Sequence, residues 1–502
     1  MDRMTTNETV SGDDIDALIG ELQFPGPEVG ADDHALRVLS RAVYTVPLIA
    51  GESQYVPALA SQILLSPAVW AEYAVADDVR TGVRVLDAFY AIVQRRLARG
   101  GDAAPFVAAL VRGVMATAVP AERQLLATVG ATSLVDVLLA PDALAPDAAV
   151  PLALLAQATG AALGSADGPV LTGAVARARA FAAADRARWT PPAAPDKRVA
   201  LAVAAVLAGV ADAVVVGRAP GIRHDTPALG TAMLQALAET YHSTVVGLGV
   251  DGGGDAPSGF AAHDFCFNSA IQFACSPGGN VPALLHTLRP TTDRLRTLFF
   301  LNTAEKVLQA APTLSAADID TLVLAPARAR LWPSADADRI DKHVLEAAHS
   351  VVLASLAVAA LRDRNRYYAP VYVAEVLLPL FADGSIGPAQ LRAGVVCVCR
   401  FADRLDNDCT VLEAVFDSLC SALLSPPPGA PPGYANALVD SLVEATTYAR
   451  VASLRRGWLD RMATAVMSVP TGRAKLRDMV ASGMFEEEAA AAVVEWWFRA
   501  KI

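Results

Sequence analysis

The chain has 502 residues, of which 54% are hydrophobic and only 19% charged. That composition supplies a large core and excludes global disorder. Forty-one basic residues against fifty-two acidic ones give a net charge of −11, and no run of Lys/Arg exceeds a pair, as at Arg95-Arg96 and Arg455-Arg456. Nucleic acid is therefore not an expected partner, because binding to phosphate needs a basic face.

Much of the apolar share is alanine and leucine, and aromatics are 6%. Those are helix formers, whereas strands favour β-branched and aromatic side chains. Met1 to Gly12 is polar and slightly acidic, without the basic-then-apolar form of a secretory signal. Residues 1–30 read as a flexible segment and 31–497 as one helical body, with a possible subdivision near 217–260.

Helical stretches alternate with short breaks rich in Pro, Gly and Asp. Ser66-Pro67 opens a helix, with Ser as cap and Pro in the first turn. Leu125 to Ala131 followed by Val135 to Leu139 reads as helix, turn at Gly130, helix. Val199 to Gly217 is long enough to span a bilayer, but it holds Gly209 and Asp212. A carboxylate near a membrane centre costs about 3 kcal/mol, so a buried core helix is expected, with Asp212 at its edge or hydrogen-bonded.

Gly247-Leu248-Gly249-Val250-Asp251-Gly252 matches the dinucleotide fingerprint, yet the glycines and Pro257 that follow make a poor helix start. It reads as a loop. Ser315-Ala316-Ala317-Asp318 resembles a capping box, and Pro326 to Asp338 reads as a loop. From Lys342, apolar residues at 344, 345, 348, 351, 352 and 356 trace one helical face. Pro426 to Gly433 is a stiff linker.

Candidate chemistry is sparse. The six cysteines are too few for a disulfide scaffold, and Cys397 and Cys399 are too close for a zinc half-site. Asp406-Asn407-Asp408 lacks the glycine and closing glutamate of a calcium loop. His343 and His349 share a helix but not a face; Glu346 and His349, one turn apart, are placed to pair on a surface. No G-x-S-x-G elbow and no phosphate loop is present. No catalytic residue, metal or cofactor is expected. The fold class expected is all-α, an irregular HEAT- or armadillo-like solenoid of antiparallel helix pairs.

The chain ends Ala500-Lys501-Ile502. A small residue, a base and an aliphatic residue before a free carboxylate resemble the peroxisomal address whose type form is S-K-L, so residues 498–502 read as a targeting tail. The second half also resembles the fungal peroxin-8 family. The matching segments are Leu301-Asn302-Thr303-Ala304-Glu305, Leu322-Val323-Leu324, Glu346-Ala347-Ala348-His349-Ser350, Pro370-Val371-Tyr372 and Gln390-Leu391-Arg392. Asp478 to Gly483, Glu486-Glu487-Glu488 and Trp496-Trp497 complete the series in order. An N-terminal signal of the R-L-x5-H-L kind, carried by some members, is not found.

This resemblance implies a non-enzymatic organiser of matrix-protein import, peripheral to the membrane on the lumenal side of the peroxisome. It would bind the cargo receptor and link the docking complex to the RING-finger complex. The tetratricopeptide domain of the receptor would read Ala500, Lys501 and Ile502. Two alternatives stay open, a motif-poor peroxisomal or cytosolic enzyme and a self-associating structural protein.

Overall fold

The computed structural model describes residues 131–500 apart from 133, 141–143, 145–151, 165, 191–194, 217–225, 246–260, 290–292, 311–313, 332–340, 406–408, 450–451 and 482–486. The expectations for residues 1–30, Ser66-Pro67, the glycine motif at 247–252, Asp406-Asn407-Asp408, Lys501 and Ile502 lie outside the described residues. Among the described residues every regular element is helical and none is a strand. The fold is all-α.

The chain divides into two compact units, Met1–Asn280 and Val281–Ile502. In the first, α1 (Leu152–Leu163), α2 (Gly168–Arg188), α3 (Lys197–Val215), α4 (Thr226–Val245) and α5 (Ala261–Ala274) follow one another. Local sequence starts them cleanly. Asp167 caps α2 by accepting from the Val170 N–H at 3.1 Å, and Pro169 occupies the first turn. Asp196 caps α3 from the Arg198 N–H at 2.9 Å and holds that arginine's guanidinium as well. Burial works against ionisation of Asp196, but the hydrogen bonds from Arg198 outweigh it and hold the carboxyl below its ordinary pKa.

Helix α3 packs on α1, α2, α4 and α5, and Val203, Val206, Leu207 and Val210 are fully buried. It is the core helix expected over Val199 to Gly217, and Asp212 is half-buried with its carboxylate beside Gly164. It is also the one unbent helix among the described residues long and apolar enough to cross a membrane. Gly209 lets α1 approach: a Cβ there would lie 2.9 Å from the Gly160 carbonyl oxygen.

The second unit begins with α6 (Val281–Thr287) and α7 (Arg294–Ala310). Helix α8 is a continuous rod of Ala316–Asp318, a π-helical turn Ile319–Leu324, and Ala325–Leu331. Ser315 caps it, its Oγ accepting from the Asp318 N–H at 3.1 Å, as the capping box predicted. The predicted loop from Pro326 is wrong at its start, where residues 326–331 are helical. The reason is the π turn. Ala325 donates its N–H to the carbonyl of Asp320, five residues back, immediately before the proline. Leu378 repeats this onto Val373, immediately before Pro379. A proline lacks the N–H that continues an α ladder, and one wide turn accommodates it without ending the rod.

Helix α9 (Lys342–Ser355) buries Val344, Leu345, Ala348, Val351 and Val352, the face read from the sequence. Helix α10 joins Arg362–Tyr372, the second π turn Val373–Leu377, and Leu378–Ala382. Then come α11 (Pro388–Asp403), α12 (Cys409–Leu424), α13 (Tyr434–Thr447), α14 (Ala452–Val466), α15 (Gly472–Ala481) and α16 (Glu487–Ala500). The Pro426 to Gly433 linker joins α12 to α13, with Gly429 and Gly433 at φ of 86° and 83°, where a side chain would be strained.

Each helix from α11 to α14 packs on the next element and on the one after it. Helices α1 to α3 show the same i+2 stacking, α1 on α3, α2 on α4, and α3 on α5. That pattern is the contact signature of a helical solenoid, in which each pair stacks on its neighbour. Aromatic plates seal it: Phe416 stacks on Trp458 at 4.6 Å and Phe381 on Tyr434 at 5.0 Å.

Candidate interaction site

Helix α9 carries the polar contacts that tie the second unit together. Its N-terminus is capped by Asp341, whose carboxylate accepts from the N–H groups of His343 and Val344. Two turns of helix follow. Glu346 faces α11, and its Oε1 accepts from the Gln390 side-chain amide at 2.6 Å. Gln390 is doubly used, because its Oε1 also accepts the Gly387 N–H at 2.7 Å and closes the start of α11.

His349 points into the interior. The expectation that it pairs with Glu346 on the surface is overturned. The ring is buried, and its Nδ1 lies 2.5 Å from the Tyr372 hydroxyl of α10. The helical turn separating the two residues sends one side chain to α11 and the other to α10. Burial pushes the His349 pKa down to about 4, so the ring is neutral at physiological pH. Burial also raises the Tyr372 phenol, with Tyr368 adding to the shift. The pair is therefore a neutral hydrogen bond.

Beside it lies a second cluster that the sequence did not disclose. Asp320, on the π turn of α8, receives Arg328 at 3.2 Å and Arg364 at 2.6 Å. The Arg328 guanidinium also lies over the Tyr368 ring, 4.3 Å from its centroid. The only available hint was Tyr368 and Tyr372 one turn apart on α10, with Arg364 one turn before. Without the π turn, the position of Asp320 could not be read.

The segments that carry the family resemblance thus meet in space. Glu346 to Ser350, Pro370 to Tyr372 and Gln390 to Arg392 are joined by the two hydrogen bonds just given. Leu301 to Glu305 lies on α7, which packs on α9, and Leu322 to Leu324 lies in the π turn, which does the same. Near the end, Trp496 is buried and its indole N–H donates to Asp460 of α14 at 2.8 Å.

Residues 279–357 match the family described as the PEX8 central TPR-like domain. Over those residues the chain is similar to the peroxin-8 family. It is also 33% identical over 147 residues to the peroxisomal membrane protein PEX17 of Yarrowia lipolytica, a match covering 25% of this chain and 21% of that protein. The chain therefore spans about a fifth of the curated relative's length.

Among the described residues, no three His, Cys, Asp or Glu side chains converge as a metal site would require. The six cysteines are free, and burial pushes the thiols of Cys266, Cys399 and Cys420 up to about 12, far from the range of a reactive thiolate.

Of the predicted tail, Ala500 is the last residue of α16, while Lys501 and Ile502 lie outside the described residues. Phe498 and Arg499 are helical, and Phe498 is 78% exposed. Two grooves complete the picture. One, of about 830 Å³, lies among α1, α3 and α5. The other, of about 870 Å³, lies among α10, α12 and the proline-rich linker.

Proposed function

We propose that the chain is a non-enzymatic scaffold of peroxisomal matrix-protein import, acting as a peripheral membrane protein on the lumenal side. In this reading it binds the cargo receptor and links the docking complex to the RING-finger complex. The observation that carries the reading is the match of residues 279–357 to the PEX8 central TPR-like domain. The stacked helices support it, because an array of this kind offers long side surfaces for several partners at once. The groove of the first unit supports it too, being lined largely by alanine, glycine and leucine rather than by convergent polar groups such as an enzyme site needs.

Entry would depend on Ala500, Lys501 and Ile502, with residues 498–502 serving as the targeting tail and the tetratricopeptide domain of the receptor reading it. The basic and aliphatic side chains fill adjacent pockets, and the carboxylate is captured by donors. Because α16 runs through Ala500, its last turn must unwind before the tripeptide can extend into a groove. The test is binding of purified receptor to intact and Lys501→Glu protein, with localisation of both. Loss of binding and a cytosolic variant are expected. Equal binding by both forms would remove the tail from the mechanism.

A further inference from the structure

The groove of about 870 Å³ among α10, α12 and the proline-rich linker combines an apolar lining with carboxylates. Leu378, Pro379 and Ala382 of α10 and Ala422 of α12 supply the apolar part. Asp383 stands just past α10 and Asp417 on α12, both exposed, and none of the described residues lining the groove is basic. Arg461 offsets the charge of Asp417. Among the described residues Asp383 forms no ion pair; it accepts the Ser385 N–H at 2.8 Å, so its charge is the one left over. A carboxylate offers about four acceptor sites, and one contact leaves room for a further donor.

Hydroxyls run along α12 in the same groove. Ser418, Ser421 and Ser425 line it at spacings of four and three, which places them on one face of a helix. Ser425 continues α12 by donating its N–H to the Ser421 carbonyl at 3.0 Å. From Ser418 to Ser425 the rise is about 10.5 Å, the length of about three residues of extended chain. A hydroxyl both donates and accepts, so such a row matches the alternating N–H and C=O groups of a peptide backbone. The linker wall, Pro427 and Pro428, has no N–H and presents ring surfaces to side chains.

The groove is also held in shape. Tyr434, which lines it, stacks on Phe381 at 5.0 Å, and Gly429 and Gly433 set the linker in left-handed turns. A preformed surface keeps the ordering cost of binding low. Two carboxylates fall short of a metal site, and the described residues hold no group of three that would make one. The leftover charge and the hydroxyl row are met together by a cationic side chain on an extended backbone.

We propose that this groove binds an extended peptide segment of a partner protein carrying a lysine or arginine side chain, with the base at Asp383. Binding here needs only the groove and is independent of the scaffold reading. The test is fluorescence polarisation of the full-length protein with a positional-scanning library of fluorescein-labelled, capped hexapeptides. Lysine, norleucine or glutamate is fixed at one position at a time. At one position lysine should bind at least about threefold more tightly than norleucine, the scale of one exposed ion pair, and glutamate most weakly. Asp383→Asn keeps the acceptor for Ser385 and should level lysine with norleucine, leaving the norleucine affinity unchanged. Ser421→Trp, at an exposed position, should abolish binding of both by filling the groove. No binding at about 1 mM peptide, no preference for lysine, a preference that survives Asp383→Asn, or binding that survives Ser421→Trp would each overturn the proposal.

Discussion

The Nδ1 of His349 and the hydroxyl of Tyr372 lie 2.5 Å apart in the interior of the second unit, joining α9 to α10. Truncating Tyr372→Phe leaves a buried ring nitrogen without its partner. The cost of such an orphan is about 1–3 kcal/mol, so a lower midpoint in urea or thermal melts is expected, with helix content unchanged in the folded state.

The same histidine makes stability depend on pH. Its pKa is about 4 when folded, against an ordinary 6.5. The unfolded chain therefore takes up the proton first, and protonation favours unfolding. Stability is intact above pH 6.5 and declines as pH falls toward 4, by up to on the order of 3 kcal/mol from this residue. His242 and His263 are also depressed by burial and act in the same direction. The contribution of His349 is isolated by difference, since His349→Gln retains a polar side chain but cannot titrate. Urea melts at pH 7 and pH 5 should show a smaller loss in the variant; an equal loss would exclude His349 as a source.

Gly209 and Gly160 face each other where α3 meets α1, and the two are not equivalent. A Cβ on Gly209 would sit 2.9 Å from the Cα and carbonyl oxygen of Gly160 and from the Leu163 Cβ, whereas a Cβ on Gly160 finds nothing nearer than 3.8 Å. Gly209→Ala should destabilise by about 1–3 kcal/mol, because backbone has to move. Gly160→Ala should be neutral or stabilising by up to about 1 kcal/mol through helix propensity. Paired thermal melts decide it, and equal effects would mean that the helices do not approach so closely.

The elements legible in the sequence were those fixed by neighbours along the chain. The Ser315–Asp318 cap and the α9 face from Val344 to Val352 needed only spacing within one helix, and α3 declared itself by composition and one carboxylate. What the sequence did not disclose were two kinds of feature. Pro326 reads as the start of a loop because proline normally ends an α ladder, while the π turn before it shows only in the bond from the Ala325 N–H to the Asp320 carbonyl. Glu346 and His349 looked like partners because they are neighbours on a helix. Their true partners, Gln390 and Tyr372, are 44 and 23 residues away, and only the packing of α10 and α11 selects them.

The last helix provides a test that joins stability to the proposed targeting. Helix α16 is held by Trp496, which is 1% exposed and donates to Asp460 at 2.8 Å, and by buried Val493. Trp496→Ala removes the largest buried side chain of that helix and its hydrogen bond, a truncation that typically costs about 3–5 kcal/mol. The loss should be local, because α16 packs on α14 and α15 alone among the principal contacts of the second unit. Amide exchange in 490–500 is expected to accelerate strongly, while exchange in α9 stays slow. If the receptor reads the tripeptide only after the last turn of α16 unwinds, apparent affinity scales with the fraction of time the turn is open. Trp496→Ala should then bind receptor more tightly than the intact protein, while Trp496→Ala combined with Lys501→Glu should not bind. Tighter binding by the double variant, or unchanged binding by Trp496→Ala despite faster exchange, would show that unwinding of α16 does not limit recognition of the tail.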